Sequence, residues 1–128
     1  MLLENKTHFD VDFLHTFVNR YNTNNLRVKV AYTKLGAKCP YSGRFYGRKS
    51  YIRVSVNPDN SYPLEIIVGS PFNRAGWRRF QMNSAEEMVS FVFLHEMSHF
   101  LDHQSGLPLG CKQTKADMFA LRKMGKVR

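Results

Sequence analysis

The chain has 128 residues, 43% of them hydrophobic and 23% charged, with a net charge of +9. This describes one domain with room for its own core, of soluble globular composition and without a run long enough to span a membrane. Its start, Met-Leu-Leu-Glu-Asn-Lys, lacks the basic residues, apolar stretch and small-residue cleavage site of a secretory signal, so a cytoplasmic location is expected.

The charge is segregated. Residues 26–82 hold eleven Lys or Arg against two acids, residues 83–110 hold four acids and no Lys or Arg, and the last eighteen residues return to +5. The basic region 26–82 is therefore a candidate nucleic-acid surface, although such a balance also suits a plain solvated face. No membrane partner is expected. Cys39 and Cys111 are 72 positions apart with no C-x-x-C pattern, and a cytosolic setting favours free thiols.

In chain order, Phe13, Leu14, Phe17, Val18 and Tyr21 recur at helical spacing, which predicts a first helix over 8–22 with Asp10 as its cap. His8 and His15 have no partner at metal spacing. Asn22 to Asn25 reads as a loop. Leu26, Val28 and Val30 alternate with Arg27, Lys29 and Ala31, a half-buried strand. Gly36 to Gly47 is rich in turn residues. Its rings, Tyr41, Phe45 and Tyr46, lie among Arg44, Arg48 and Lys49, which suits stacking on bases or a strand with one buried face. Tyr51, Ile52, Val54 and Val56 give a second strand, and Leu64, Ile66, Ile67 and Val68 a third. Residues 71–83, with Trp77, Arg78 and Arg79, read as a basic connector.

Residues 84–104 form the stretch on which the rest depends. Ser84 with Glu87 three residues later is a capping box, and Glu86 and Glu87 favour the positive end of a helix dipole. From Met88 to Leu101 the residues are apolar on nearly every side, as in a buried helix. Gly106 and Pro108 end it. Within it lies His95-Glu96-Met97-Ser98-His99, an H-E-x-x-H pattern. Residues four apart share a helix face, so His95 and His99 can aim two imidazoles at one metal ion. Glu96 can then act as general base on a zinc-bound water. A last helix is expected over 112–124, with Ala116, Phe119, Ala120, Leu121 and Met124 as its apolar positions.

A hydrolytic zinc site takes three protein ligands. Asp102, His103, Cys111, Gln113 and Asp117 are the candidates for the third. His103 starts about 12 Å from His95 along a straight helix, too far for both to bond one ion unless the helix breaks. Asp117 on the last helix ranks first and His103 second, with Gln113 and Cys111 behind. Asp117 has a competing role, accepting the free N–H of a liganding His.

The pattern resembles the small zincin metallopeptidases of the SprT-like and ImmA-like groups. The resemblance rests on His95-Glu96-Met97-Ser98-His99-Phe100-Leu101-Asp102-His103, on Lys115-Ala116-Asp117-Met118-Phe119-Ala120-Leu121 and on the strand Tyr51 to Val56. It implies a single zincin-like metallopeptidase domain over 1–128, of α+β class. The parts are an N-terminal helix, a small three-stranded, mostly antiparallel sheet, the H-E-x-x-H helix and a C-terminal helix. It also implies that His103 is no zinc ligand. One departure stands out: such families often place a Glu ligand where this chain has Gln113.

The expected function is zinc-dependent hydrolysis of peptide bonds in a protein or peptide substrate, DNA-associated proteins among them. Tyr46, Arg74 and His103 are candidates to stabilise the oxyanion. Two rival readings stay open. One is a basic nucleic-acid-binding module with a structural or vestigial zinc site; the other is a metal-free globular protein.

Overall fold

The computed structural model of the chain describes residues 1–69, 76–107 and 113–127. Its elements run β1 (Leu2–Asn5), α1 (Leu14–Val18), β2 (Arg27–Tyr32), β3 (Tyr41–Tyr46), a 3-10 turn (Gly47–Lys49), β4 (Tyr51–Val56), β5 (Leu64–Gly69), β6 (Trp77–Met82), α2 (Ala85–Gln104) and α3 (Gln113–Lys123). The class is α+β, with three helices and two sheets among the described residues.

Alternation in β2 and β4 sets the main sheet. Val28, Val30, Ile52, Val54 and Val56 turn to one face and are buried, whereas Arg27 and Arg53 turn to the other and are exposed. The expected three-stranded, mostly antiparallel arrangement needs correction. The main sheet has four strands in the order β1-β2-β4-β3, with β1–β2 and β2–β4 parallel and β3–β4 antiparallel. β5 and β6 form a separate antiparallel pair. Three of these strands carry weak local signals. β1 has only four residues, β3 contains the turn-forming pair Ser42-Gly43, and β6 occupies the stretch read as a basic connector. Pairing with a neighbouring strand overrides local preference in each.

The first helix is also shorter than its apolar stripe suggests. Side chains before it bond their own backbone: Asn5 accepts from the Thr7 N–H (2.9 Å) and donates to the Phe9 carbonyl (2.6 Å), and Asp10 accepts from the Asp12 N–H (3.0 Å). Such local bonds compete with helix formation. Asp10 thus holds a turn and does not cap α1.

α2 begins as its sequence requires. Ser84 Oγ accepts the Glu87 N–H at 3.1 Å, and the Glu87 carboxylate accepts the Asn83 N–H at 2.5 Å. Phe91, Phe93, Leu94, Met97 and Phe100 are all buried, on every side of the helix. The buried face of the main sheet covers one side and α3 another, the latter through Ala116, Ala120 and Leu121. α2 runs alongside the edge strand β3: Tyr41 meets Phe91 edge-on at 6.0 Å between ring centroids, and Phe45 meets Phe100 in the same way at 6.0 Å.

Candidate metal centre

His95, Glu96 and His99 occupy one turn of α2, and a ligand atom from each lies within 4.8 Å of the others. The two His Nε2 atoms are 3.3 Å apart. Donors bonded at ~2.0–2.1 Å in a tetrahedral site are separated by roughly 3.3–3.4 Å, so the pair already has the spacing of two ligands. α3 brings two more groups. Gln113 Oε1 lies 2.6 Å from His95 Nε2 and 3.3 Å from His99 Nε2. Asp117 meets the opposite ring nitrogen, His95 Nδ1–H donating to its Oδ1 at 2.6 Å.

Of the third-ligand candidates, Asp117 and Gln113 approach the His pair from different sides. Asp117 orients His95 from behind, and Gln113 faces the two Nε2 atoms. The two residues share a face of α3 but sit about 6 Å apart along its axis, and only the docking of α3 on α2 decides which reaches which nitrogen. His103 is exposed and packs edge-on against Phe45, 5.7 Å between centroids. It stands outside the His95–Glu96–His99 group because α2 continues unbroken to Gln104. Asp102 is engaged by Lys115 at 3.0 Å. Cys111 and Arg74 lie outside the described residues.

Burial tunes each group. The Glu96 carboxyl is pushed above the usual carboxylate range, first by burial and then by the charge of Asp117, with His95 opposing. Its Oε2 is buried without a hydrogen-bond partner among the described residues. Burial alone would lower the His95 pKa, but its bond to Asp117 and the charges of Asp117 and Glu96 outweigh that and raise it. His99 is lowered, by burial and then by the charge of His95. His95 lies between the Asp117 carboxylate at Nδ1 and the Gln113 amide oxygen at Nε2, which favours its protonated form, while burial favours neutral His99.

Sequence reasoning passed over Tyr41. It lines the cleft with Gly43, Phe91, Val92, His95, Glu96, Gln113 and Asp117, and burial followed by the charge of Asp117 raises its pKa, so it keeps its phenolic proton. The available signal was parity, since Tyr41, Gly43 and Phe45 alternate as one face of a strand. Tyr46, a candidate for oxyanion stabilisation, falls on the opposite face of the sheet, beside Arg44 and Arg53.

Compared with known proteins, the chain matches no family model, no curated protein and no solved structure. The site must be judged on its own chemistry. His95, Glu96 and His99 form a group that could hold a metal ion, with Gln113 Oε1 in hydrogen-bond contact with His95 Nε2 beside them and one Glu96 oxygen without a hydrogen-bond partner among the described residues.

Gly43 keeps this arrangement tight. A Cβ there would lie 2.6 Å from Val92 Cγ1 and 3.2 Å from Glu96 Cγ. Val92 cannot turn aside cheaply, because a β-branched side chain in a helix is held to one rotamer. Gly43→Ala is expected to cost about 1–3 kcal/mol in urea unfolding and to displace Glu96. Unchanged stability would mean that β3 does not press on α2.

Proposed function

We propose that the protein is a zinc-dependent metallopeptidase, with His95, His99 and Gln113 holding the ion and Glu96 as general base. The observation that carries this reading is a buried Glu96 oxygen, unpartnered among the described residues, beside a His pair at ligand spacing. A structural zinc site closes with four protein ligands. Here two imidazoles and an amide oxygen, beside a carboxylate with one oxygen unpartnered among the described residues, favour catalysis over the structural or vestigial alternative.

Zinc held by these residues would lower the pKa of a water and polarise the scissile carbonyl. The remaining work belongs to the chain. Glu96 takes the proton of the attacking water and returns it to the leaving amine; burial, which raises its pKa, favours the protonated form it passes through. Asp117 holds His95 in the tautomer that leaves Nε2 free to bond. Tyr41 offers a phenolic proton to the carbonyl oxygen as charge develops there. A peptide is the fitting substrate because β3 ends the main sheet beside the cleft, and an edge strand can take an extended peptide by backbone pairing.

The SprT-like or ImmA-like relationship belongs to the same proposal. It is supported by the run His95 to His103 and by the Ala116-Asp117 pair on the closing helix, with Gln113 where those groups often carry Glu. Action on DNA-associated proteins rests on the basic balance of residues 26–82. Cleavage of casein by the zinc-loaded protein, absent in Glu96→Gln, tests the reading.

Metal uptake should depend on pH. The raised His95 pKa means that Nε2 keeps its proton until the pH passes above the ordinary imidazole value, and zinc must displace it. Apparent affinity is expected to fall about tenfold per pH unit below that point, and more steeply once the lower-pKa His99 also takes a proton. Competition with a chromophoric chelator across the neutral range checks this. A flat profile would remove His95 from the ligand set.

A further inference from the structure

The face of the main sheet turned away from α2 carries a second feature. Strand register aligns Glu4, Lys29, Arg53 and Arg44 as one rung across β1, β2, β4 and β3. Three cations thus stand side by side at the ~4.8 Å spacing of neighbouring strands. Like charges directly opposite one another destabilise a sheet. The rung's one carboxylate, Glu4, is paired with Lys6 at 3.4 Å. Among the described residues, Arg27, Lys29, Arg44 and Arg53 make no ion pair. The next rung is Leu2, Arg27, Tyr51 and Tyr46. Its two tyrosine rings are 5.6 Å apart, with Arg27 5.8 Å from the Tyr51 centroid and Arg44 5.0 Å from the Tyr46 centroid. A groove of about 340 Å³, lined by Lys34, Ser42, Arg44, Tyr46 and Arg53, adjoins both rungs.

We propose that this face binds single-stranded nucleic acid. Phosphates neutralise the Lys29–Arg53–Arg44 rung, and bases stack on Tyr46, Tyr51 and the guanidinium planes beside them. Charge complementarity selects a polyanion. The aromatic rung selects a single strand, because only unpaired bases expose their faces for stacking, and every base has one. The surface lies on the opposite side of the sheet from Glu96, so its occupancy does not depend on the peptidase reading.

Fluorescence anisotropy with labelled oligothymidylate and oligouridylate tests this, against a duplex of equal length. Binding at low salt is expected, weakening with salt at a log–log slope of about −2 for three phosphate contacts. The double variant Arg44→Ser/Arg53→Ser should flatten that slope to about −0.7. Tyr46→Ala should weaken binding about tenfold or more at unchanged slope. Glu96→Gln should bind as wild type. The double variant should melt no lower than wild type, since it relieves like-charge repulsion, so lost binding is not lost folding. No binding to either oligonucleotide at low salt would overturn the proposal. Wild-type affinity in the double variant, or duplex binding as tight as single-strand binding, would also overturn it.

Discussion

Glu96→Gln is expected to retain zinc at wild-type stoichiometry and to lose about 10²–10⁴-fold in peptide hydrolysis, the usual contribution of a positioned general base. The substitution keeps the side chain's length, so the packing against Gly43 survives. It removes only the capacity to take a proton. Stability separates this from unfolding. The folded Glu96 carboxyl titrates above the unfolded value because of burial, so the wild type gives up stability as pH rises from the ordinary carboxylate range through the raised value. Glutamine carries no such penalty. In the metal-free protein the variant should match wild type in acid and be at least as stable at neutral pH. Casein cleavage, metal content and urea unfolding together check the prediction. An active Glu96→Gln would remove the general base from the mechanism.

Substitutions at Gln113 and Asp117 are expected to separate ligand from support. Gln113→Ala takes away the oxygen facing the two Nε2 atoms and should abolish stoichiometric zinc at low free-metal concentration. Gln113→Glu supplies an anionic oxygen at the same reach. It should raise affinity by about tenfold, since bonds to a charged group exceed those to a neutral one by roughly 1–1.5 kcal/mol. Asp117→Asn leaves the donors in place but weakens the hold on His95 Nδ1, for an expected loss of about 10–100-fold in affinity. Chelator competition on the three variants checks the order. If Asp117→Asn loses all metal and Gln113→Ala loses none, the roles drawn from the geometry are reversed.

The parts of this molecule that were legible in the sequence are those whose signal is local. α2 announces itself through the Ser84–Glu87 cap and an apolar run, β2 and β4 through alternation, and β5 through a short apolar run. β3 and β6 are hidden because their evidence is tertiary. Ser42-Gly43-Arg44 looks like a turn until Val54 and Arg53 lie opposite it, and Gly43 is needed because α2 passes so close. The site divides in the same way. His95, Glu96 and His99 follow from helical spacing within one element. The choice between Gln113 and Asp117 depends on an axial offset between two helices, which no spacing within α3 reveals. Tyr41 was passed over as a site residue because its turn-rich stretch left base stacking and a half-buried strand both open.

The most direct measurement is anomalous scattering at the zinc edge from crystals of the zinc-loaded wild type. One ion bonded at about 2.0–2.2 Å to His95 Nε2, His99 Nε2 and Gln113 Oε1, with Glu96 beside it and unbonded, is the result expected. No ion at these residues, or one held by Asp117 or by Glu96 itself, would contradict the proposed centre.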